Sequence, residues 1–229
     1  MNTLVNIARY HLVDRLQYLV LPVGVTLFAF GVNVVIFSVI PETPEQNYSG
    51  GLFTLFVFML VCGAMSMTKS LPFGLALGVS RRSYYLGTVL LVTGLSALYA
   101  VGITVLQAIE KGTGGWGLGL NYFRVPWLLD GPWYLTLLTS FVFLVLMFLY
   151  GMWYGLIYRR ASVLGVIVFG AAQVLVLLSV VLVLSWTDSW SKLGTFFSTL
   201  TVGGLTGVLA LLVCVAGAGG FATMRRVRV

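Results

Sequence analysis

Six uncharged apolar stretches run through this chain, and each is long enough to cross a lipid bilayer as a helix. They cover residues 17–40, 51–68, 83–108, 133–157, 161–185 and 199–222. Only 8% of the 229 residues are charged, whereas about 25% are charged in soluble domains. Backbone polar groups inside a bilayer must pair within the protein, which favours helices. The sequence therefore predicts an all-α integral membrane protein with six transmembrane helices.

The positive charges are divided unevenly between the segments that connect these stretches. With the N-terminus inside the cell, the cytoplasmic side receives Arg9, Arg15, Lys69, Arg81, Arg82, Arg159, Arg160, Arg225, Arg226 and Arg228. The outer side receives Lys111, Arg124 and Lys192. Because Lys and Arg are retained in cytoplasmic loops, we expect a multi-pass protein of a bacterial cell membrane with both termini cytoplasmic. Topology and anionic membrane lipids then account for the net charge of +7, and no nucleic-acid partner is expected.

The two ends of the chain are less apolar than its centre. Residues 1–16 place apolar side chains at helical spacing against polar ones, which predicts an amphipathic helix lying in the cytoplasmic interface. The alternative is an inward extension of the first span. We expect residues 17–222 to form one six-helix domain and residues 223–229 to form a basic cytoplasmic tail.

Polar residues inside the spans are few, and no ionisable residue lies away from a span end. This absence excludes most proton-coupled carriers and the intramembrane proteases built on paired acids or metal ligands, because both need such groups. The amides of Asn33, Gln107 and Gln173 are candidates to line a translocation path, or to hydrogen-bond between helices as structural contacts. Cys62 and Cys214 lie in apolar runs without metal-ligand spacing, so no metal site is expected.

The longest predicted outer segment is the connector 110–132. Its length and aromatic residues fit a lid, a partner-binding surface or an interfacial cap. Its glycine-rich stretch GTGGWGLGL lacks the Lys of a phosphate-binding loop, so this chain does not itself bind ATP through that motif. Two pairs of glycines, Gly151 with Gly155 and Gly203 with Gly207, predict faces that allow close approach of another helix.

The cytoplasmic segment 70–82 contains more structural signals than a simple loop requires. Ser70 is expected to cap a short helix, with Pro72 in its first turn, Gly78 at a turn and Ser80 as the cap of the next helix. We expect this short apolar helix to lie along the membrane surface, where it could insert into a groove on a soluble partner. The predicted docking residues are Leu71, Pro72, Phe73, Gly74, Leu75, Ala76, Leu77, Gly78, Val79, Ser80, Arg81 and Arg82.

The pattern Pro72, Phe73 and then GLALGVSRRSYYLG resembles the coupling-helix region of ATP-binding-cassette transporter permeases of the six-helix exporter type. The resemblance is sharp over about eighteen residues and extends in layout to the whole chain. It implies a permease subunit, not itself an enzyme, that pairs with a second copy or a related permease. It further implies a separate nucleotide-binding ATPase that carries ATP and Mg²⁺, so this chain needs no cofactor of its own.

On this interpretation the chain is part of an exporter, and its uncharged, aromatic-rich interior favours a hydrophobic or amphipathic substrate. The alternative is an ATP-independent scaffold or sensor subunit whose basic cytoplasmic turns bind a partner or anionic lipid. A membrane-embedded enzyme is disfavoured because no cluster of acid, base, nucleophile or metal ligands occurs at the inner ends of the spans.

Overall fold

A computed structural model describes residues 16–39, 47–126 and 128–225. The amphipathic helix expected at residues 1–16 lies outside the described residues except for Leu16, as do the last four residues of the basic tail. Seven α-helices occur in the described part: α1 (Leu21–Val39), α2 (Phe53–Met65), α3 (Leu71–Ala76), α4 (Arg81–Gly112), α5 (Trp133–Trp186), α6 (Trp190–Thr199) and α7 (Val202–Arg225). Two short strands, β1 (Asn47–Tyr48) and β2 (Leu120–Asn121), pair in parallel.

Among the described residues, five helical stretches are long and apolar enough to cross a membrane. They are Leu16–Val39, Phe53–Ala76, Arg81–Gly112, Trp133–Trp186 and Val202–Met224. Apolar side chains on α1, on residues 163–183 and on α7 are largely exposed in the isolated chain. Exposed apolar surface on this scale fits contact with lipid acyl chains rather than with water. The membrane character and the helical fold predicted from the sequence are therefore supported.

The fourth and fifth predicted spans lie within the 54 residues of α5. The helical backbone is interrupted at Ala161 and Ser162, and Ser162 has a φ of 56°. In a straight helix, residues 150 and 173 would be separated by about 34 Å. The Tyr150 hydroxyl instead donates a hydrogen bond of 2.7 Å to Gln173. The first half of α5 (133–160) and its second half (163–186) therefore lie side by side as a hairpin.

The centre of the bundle is a close crossing between α2 and the first half of α5. A Cβ atom on Gly151 would lie 1.9 Å from the Leu60 carbonyl oxygen, and one on Gly63 would lie 2.0 Å from the Phe148 carbonyl oxygen. Gly155 is similarly close to α2. Because only glycine allows this separation, the predicted Gly151–Gly155 face is confirmed as a helix-packing surface within the chain. Gly207, by contrast, would meet nothing within 4 Å.

The second predicted span does not stop at residue 68. The chain passes from α2 through a π-helical turn, Ser66–Ser70, directly into α3. Ser70 has helical φ and ψ values of −79° and −33°, and its side chain makes no capping hydrogen bond. The predicted N-cap at Ser70 is therefore wrong. The Ser66 and Thr68 hydroxyls donate hydrogen bonds to carbonyl oxygens one turn earlier, so these polar groups are satisfied within the helix.

Candidate functional site

One face of the 70–82 segment is fixed against α4. Leu71 is buried, and Gly74 lies so close to the ring of Tyr84 that an added Cβ would be 3.0 Å from it. The buried Tyr84 hydroxyl donates a hydrogen bond of 2.6 Å to the Ser66 carbonyl oxygen. These contacts tie α3 to the first turns of α4, while the π-helical turn ties it to α2. The segment is therefore held by two long helices at once.

The opposite face of the segment is apolar and exposed. Phe73 is 52% exposed and Leu77 is 64% exposed, and Ala76 lies between them on the same surface. Large apolar side chains exposed together on a short helix are suited to insertion into a groove. The segment thus combines an anchored face with an apolar face available for contact.

The turn that ends the segment has the geometry that the sequence predicts. Gly78 has a φ of 79°, which favours glycine, and the Ser80 hydroxyl accepts a hydrogen bond of 3.1 Å from the Ser83 backbone N–H. Arg81 and Arg82 follow as the first two residues of α4. Cations at a helix N-terminus are disfavoured by the helix dipole. Among the described residues, no acidic side chain forms a salt bridge with either arginine.

Gln107 lies at the other end of α4, where it anchors the connector 110–132. Its amide nitrogen donates hydrogen bonds to the carbonyl oxygens of Leu129, at 2.6 Å, and Phe123, at 3.4 Å. Its amide oxygen accepts a hydrogen bond of 3.0 Å from the Thr136 hydroxyl at the start of α5. Both ends of its amide are hydrogen-bonded inside the protein. Gln107 therefore makes structural contacts, which Sequence analysis gave as the alternative to lining a translocation path.

Glu110 is the second anchor, one helical turn further along α4, and the sequence interpretation missed it. The side chain is 1% exposed. One carboxylate oxygen accepts hydrogen bonds from the backbone N–H groups of Tyr122 and Phe123, at 2.8 and 3.0 Å, and from the Trp116 indole at 3.0 Å. The other oxygen accepts one from the Arg124 backbone N–H at 3.1 Å. Four donors compensate for burial of the charge.

Aromatic side chains complete the packing of the connector onto α1. Trp116 has a φ of 60° in a left-handed glycine-rich turn, which places its ring 5.0 Å from that of Phe30. The Tyr122 hydroxyl donates a hydrogen bond of 3.2 Å to the Thr26 carbonyl oxygen, and burial raises the pKa of this phenol to about 12. The β1–β2 pair adds a further contact with the segment before α2. Of the three roles considered for the connector, these contacts fit a fixed cap.

A salt bridge lies at the surface of this cap. The Arg124 guanidinium donates a hydrogen bond of 2.7 Å to the Asp130 carboxylate, and this contact raises the pKa of Arg124. Both side chains are partly exposed, so the pair contributes little to stability in water.

The other two candidate amides lie in different settings. Asn33 on α1 donates to the Ala29 carbonyl oxygen at 2.8 Å and accepts from the Ser49 hydroxyl at 2.6 Å. Gln173, on the second half of α5, accepts hydrogen bonds from Tyr150 and Tyr154 beside an open apolar cleft. The three amides thus share no partner among the described residues, and Gln173 lines an open apolar cleft.

The structure also bears on metal binding. Within the described ranges, no group of three or more His, Cys, Asp or Glu side chains could hold a metal ion. Cys62 is buried and Cys214 is exposed, and neither forms a disulfide.

No protein-family model, curated protein or solved structure matches this chain.

Proposed function

We propose that this chain is the permease subunit of an ATP-binding-cassette transporter of the exporter type, driven by a separate ATPase that docks on the 70–82 segment. The observation that carries the proposal is the two-sided character of this segment. Leu71 and Gly74 fix one side, while Phe73 and Leu77 on the other side are exposed. A docking element needs both properties, because a loosely attached helix would absorb a partner's movement instead of transmitting it.

The packing of the helices supplies a route for that movement. A force on the segment reaches α2 through the continuous helical backbone and reaches α4 through the Tyr84 contact. It then reaches the first half of α5 through the glycine crossing at Gly63 and Gly151. Because closely packed helices shift as rigid elements, ATP-driven closure of the partner would rearrange three spans together. No ATP or Mg²⁺ site is proposed on this chain.

On this proposal each half of α5 crosses the bilayer, so the chain has six spans and both termini face the cytoplasm. The hairpin at Ala161 and Ser162, with Arg159 and Arg160 beside the bend, supports this arrangement, because basic residues are typical of cytoplasmic turns. The 70–82 segment then lies on the cytoplasmic side, and the connector 110–132 caps the outer side. The location is a bacterial cell membrane, and the partners are the ATPase, a second permease copy or related permease, and membrane lipids.

The test is ATPase activity of the complex purified through a tag on this chain, with Leu77→Asp and Gly78→Pro as variants. Aspartate removes the apolar contact, and proline cannot adopt the φ of 79° found at position 78. Both variants should still insert in the membrane. The ATPase should either no longer co-purify with the chain, or its ATP hydrolysis should be uncoupled from transport. Tyr134→Asp is the matched control, because Tyr134 is similarly exposed at the start of α5, on the proposed outer side.

Unchanged ATPase activity and coupling in both variants would reject the docking role. The alternative function, a scaffold or sensor subunit that binds anionic lipid, would then be favoured, because Arg81 and Arg82 place two positive charges at the start of α4. In that case the purified chain should bind anionic vesicles, and Arg81→Glu should weaken this binding.

A further inference from the structure

Two adjoining cavities border the hairpin of α5. One, of about 400 Å³, lies between the first half of α5 and α7, and the other, of about 540 Å³, faces the second half of α5. Tyr150 and Phe169 line both, so we treat them as one space and call it the α5 cleft. Its remaining walls are apolar or aromatic apart from Gln173, and it opens to the side of the bundle. Such a space suits a ligand with a large apolar part.

Gln173 is held in one orientation by two phenols. Its amide oxygen accepts hydrogen bonds from the hydroxyls of Tyr150, at 2.7 Å, and Tyr154, at 2.8 Å. The ring of Tyr154 is itself packed edge-on against Phe169 at 5.3 Å. Two fixed donors at one end of the amide determine where the other end points. The side chain is therefore preorganised rather than free to change rotamer.

The amide nitrogen of Gln173 has no hydrogen-bond acceptor among the described residues. An amide donor without a partner is costly in apolar surroundings, where water cannot replace the missing acceptor. Gln107 and Asn33, by comparison, use both ends of their amides within the protein. Gln173 alone among the three candidate amides presents an unused donor beside a cavity.

The depth of Gln173 restricts what that donor can meet. It lies eleven residues beyond Ser162, which corresponds to about 17 Å along the helix, close to the middle of a span. The charged headgroup of a phospholipid keeps its ester oxygens at the interface, so a resident phospholipid presents only hydrocarbon at this depth. No charged side chain lines the α5 cleft, which disfavours an ionic ligand.

We infer that the α5 cleft binds a neutral amphipathic molecule, with its apolar chain against Phe169 and Tyr150 and an ester or amide carbonyl oxygen accepting a hydrogen bond from Gln173. The identification of this molecule as transported cargo rests on the proposed function, because it names the substrate class of the exporter. The binding itself requires no ATPase and is measured without one.

The experiment uses the full chain in phosphatidylcholine nanodiscs with two photoreactive probes of equal chain length. One is a monoacylglycerol with a diazirine on its acyl chain, and the other is an alkane with the same diazirine. The monoacylglycerol should label peptides containing Tyr150 and Phe169, and Gln173→Leu should weaken its apparent affinity about fivefold, the loss expected for one hydrogen bond. Labelling by the alkane should be the same in both proteins, because it has no acceptor oxygen.

Asn33→Leu is the matched control and should leave labelling of the α5 cleft unchanged. The inference is overturned if Gln173→Leu affects both probes equally or neither of them. It is also overturned if neither probe labels the cleft. Cross-linking of two copies through cysteines at positions 146 and 212 would then show that a second copy fills the space. A missing ATPase would reject the proposed function without altering any of these results.

Discussion

Glu110→Gln tests whether a single buried carboxylate holds the connector 110–132. The substitution keeps the size of the side chain but removes its charge and turns one acceptor oxygen into an NH₂ donor. If the remaining oxygen keeps the contacts with Trp116, Tyr122 and Phe123, the new NH₂ group faces the Arg124 backbone N–H. One buried donor then loses its acceptor, and three charge-assisted hydrogen bonds become neutral ones.

The free energy of this change can be estimated from typical values. An unsatisfied buried N–H costs about 1–3 kcal/mol, and each hydrogen bond that loses its charge weakens by several tenths of a kcal/mol or more. The sum is about 3 kcal/mol. Since about 1.4 kcal/mol corresponds to a factor of ten, local opening of the connector should become roughly 100-fold more frequent.

Amide hydrogen exchange in nanodiscs measures this opening directly. The backbone amides of Tyr122, Phe123 and Arg124 should exchange about 100-fold faster in Glu110→Gln. Amides in the first half of α5 should be unaffected. Asp130→Asn is the control, because the Arg124–Asp130 pair is partly exposed and its loss should change exchange by less than about fivefold. Equal protection in Glu110→Gln and the unmodified chain would refute the role assigned to Glu110.

Three further predictions concern packing, capping and the Gln107 anchor. Gly151→Ala should strongly lower the Tm or the folded yield, because the new Cβ would collide with the Leu60 carbonyl oxygen. Gly170→Ala is the control and should be neutral or slightly stabilising, because a Cβ at position 170 would meet nothing within 4 Å. Equal Tm values for the two variants would contradict the close crossing of α2 and α5. Ser80→Ala should destabilise the start of α4 by about 1 kcal/mol, seen as faster exchange there, while an unchanged rate would argue against the cap. Gln107→Leu should increase proteolysis within the connector, and an unchanged cleavage rate would show that this amide is not an anchor.

Local signals in the sequence predicted much of the fold. The positions of α1, α4 and α7 follow from the length and hydropathy of their apolar runs. Both properties can be obtained from the sequence without knowing which other residues each helix contacts. The turn at Gly78 and the cap at Ser80 were also predicted, because both depend on the residue itself and its nearest neighbours. These features need no knowledge of distant parts of the chain.

The sequence does not predict that the helix continues from α2 into α3, although this continuation involves only residues close together in the chain. The polar letters SMTKS at positions 66–70 are typical of a connector. In the structure, Ser66 and Thr68 bond to the carbonyl oxygens of the preceding turn, so their polarity is satisfied within the helix. Residue type alone does not distinguish a serine that ends a helix from one that bonds back to it.

The roles of Glu110 and Gln173 depend on contacts that the sequence does not display. Glu110 binds backbone N–H groups 12 to 14 residues away, and any residue type provides such a group. One available signal is its spacing three residues after Gln107, which places both side chains on one face of α4. Gln173 meets Tyr150 because of the bend at Ser162. The boundary predicted between residues 157 and 161 implies such a turn, but it does not show which side chains the turn brings together.

The central claim is that a soluble ATPase docks on the exposed face of the 70–82 segment, and site-specific cross-linking in native membranes tests it most directly. A single cysteine replaces Leu77 in a Cys214→Ser background, which removes the exposed native thiol. A thiol-reactive cross-linker at position 77 should capture a protein whose sequence contains a G-x-x-x-x-G-K-[ST] motif, and a cysteine at Lys111 should not. Capture of no such ATPase from position 77, with the chain correctly inserted, would contradict the account.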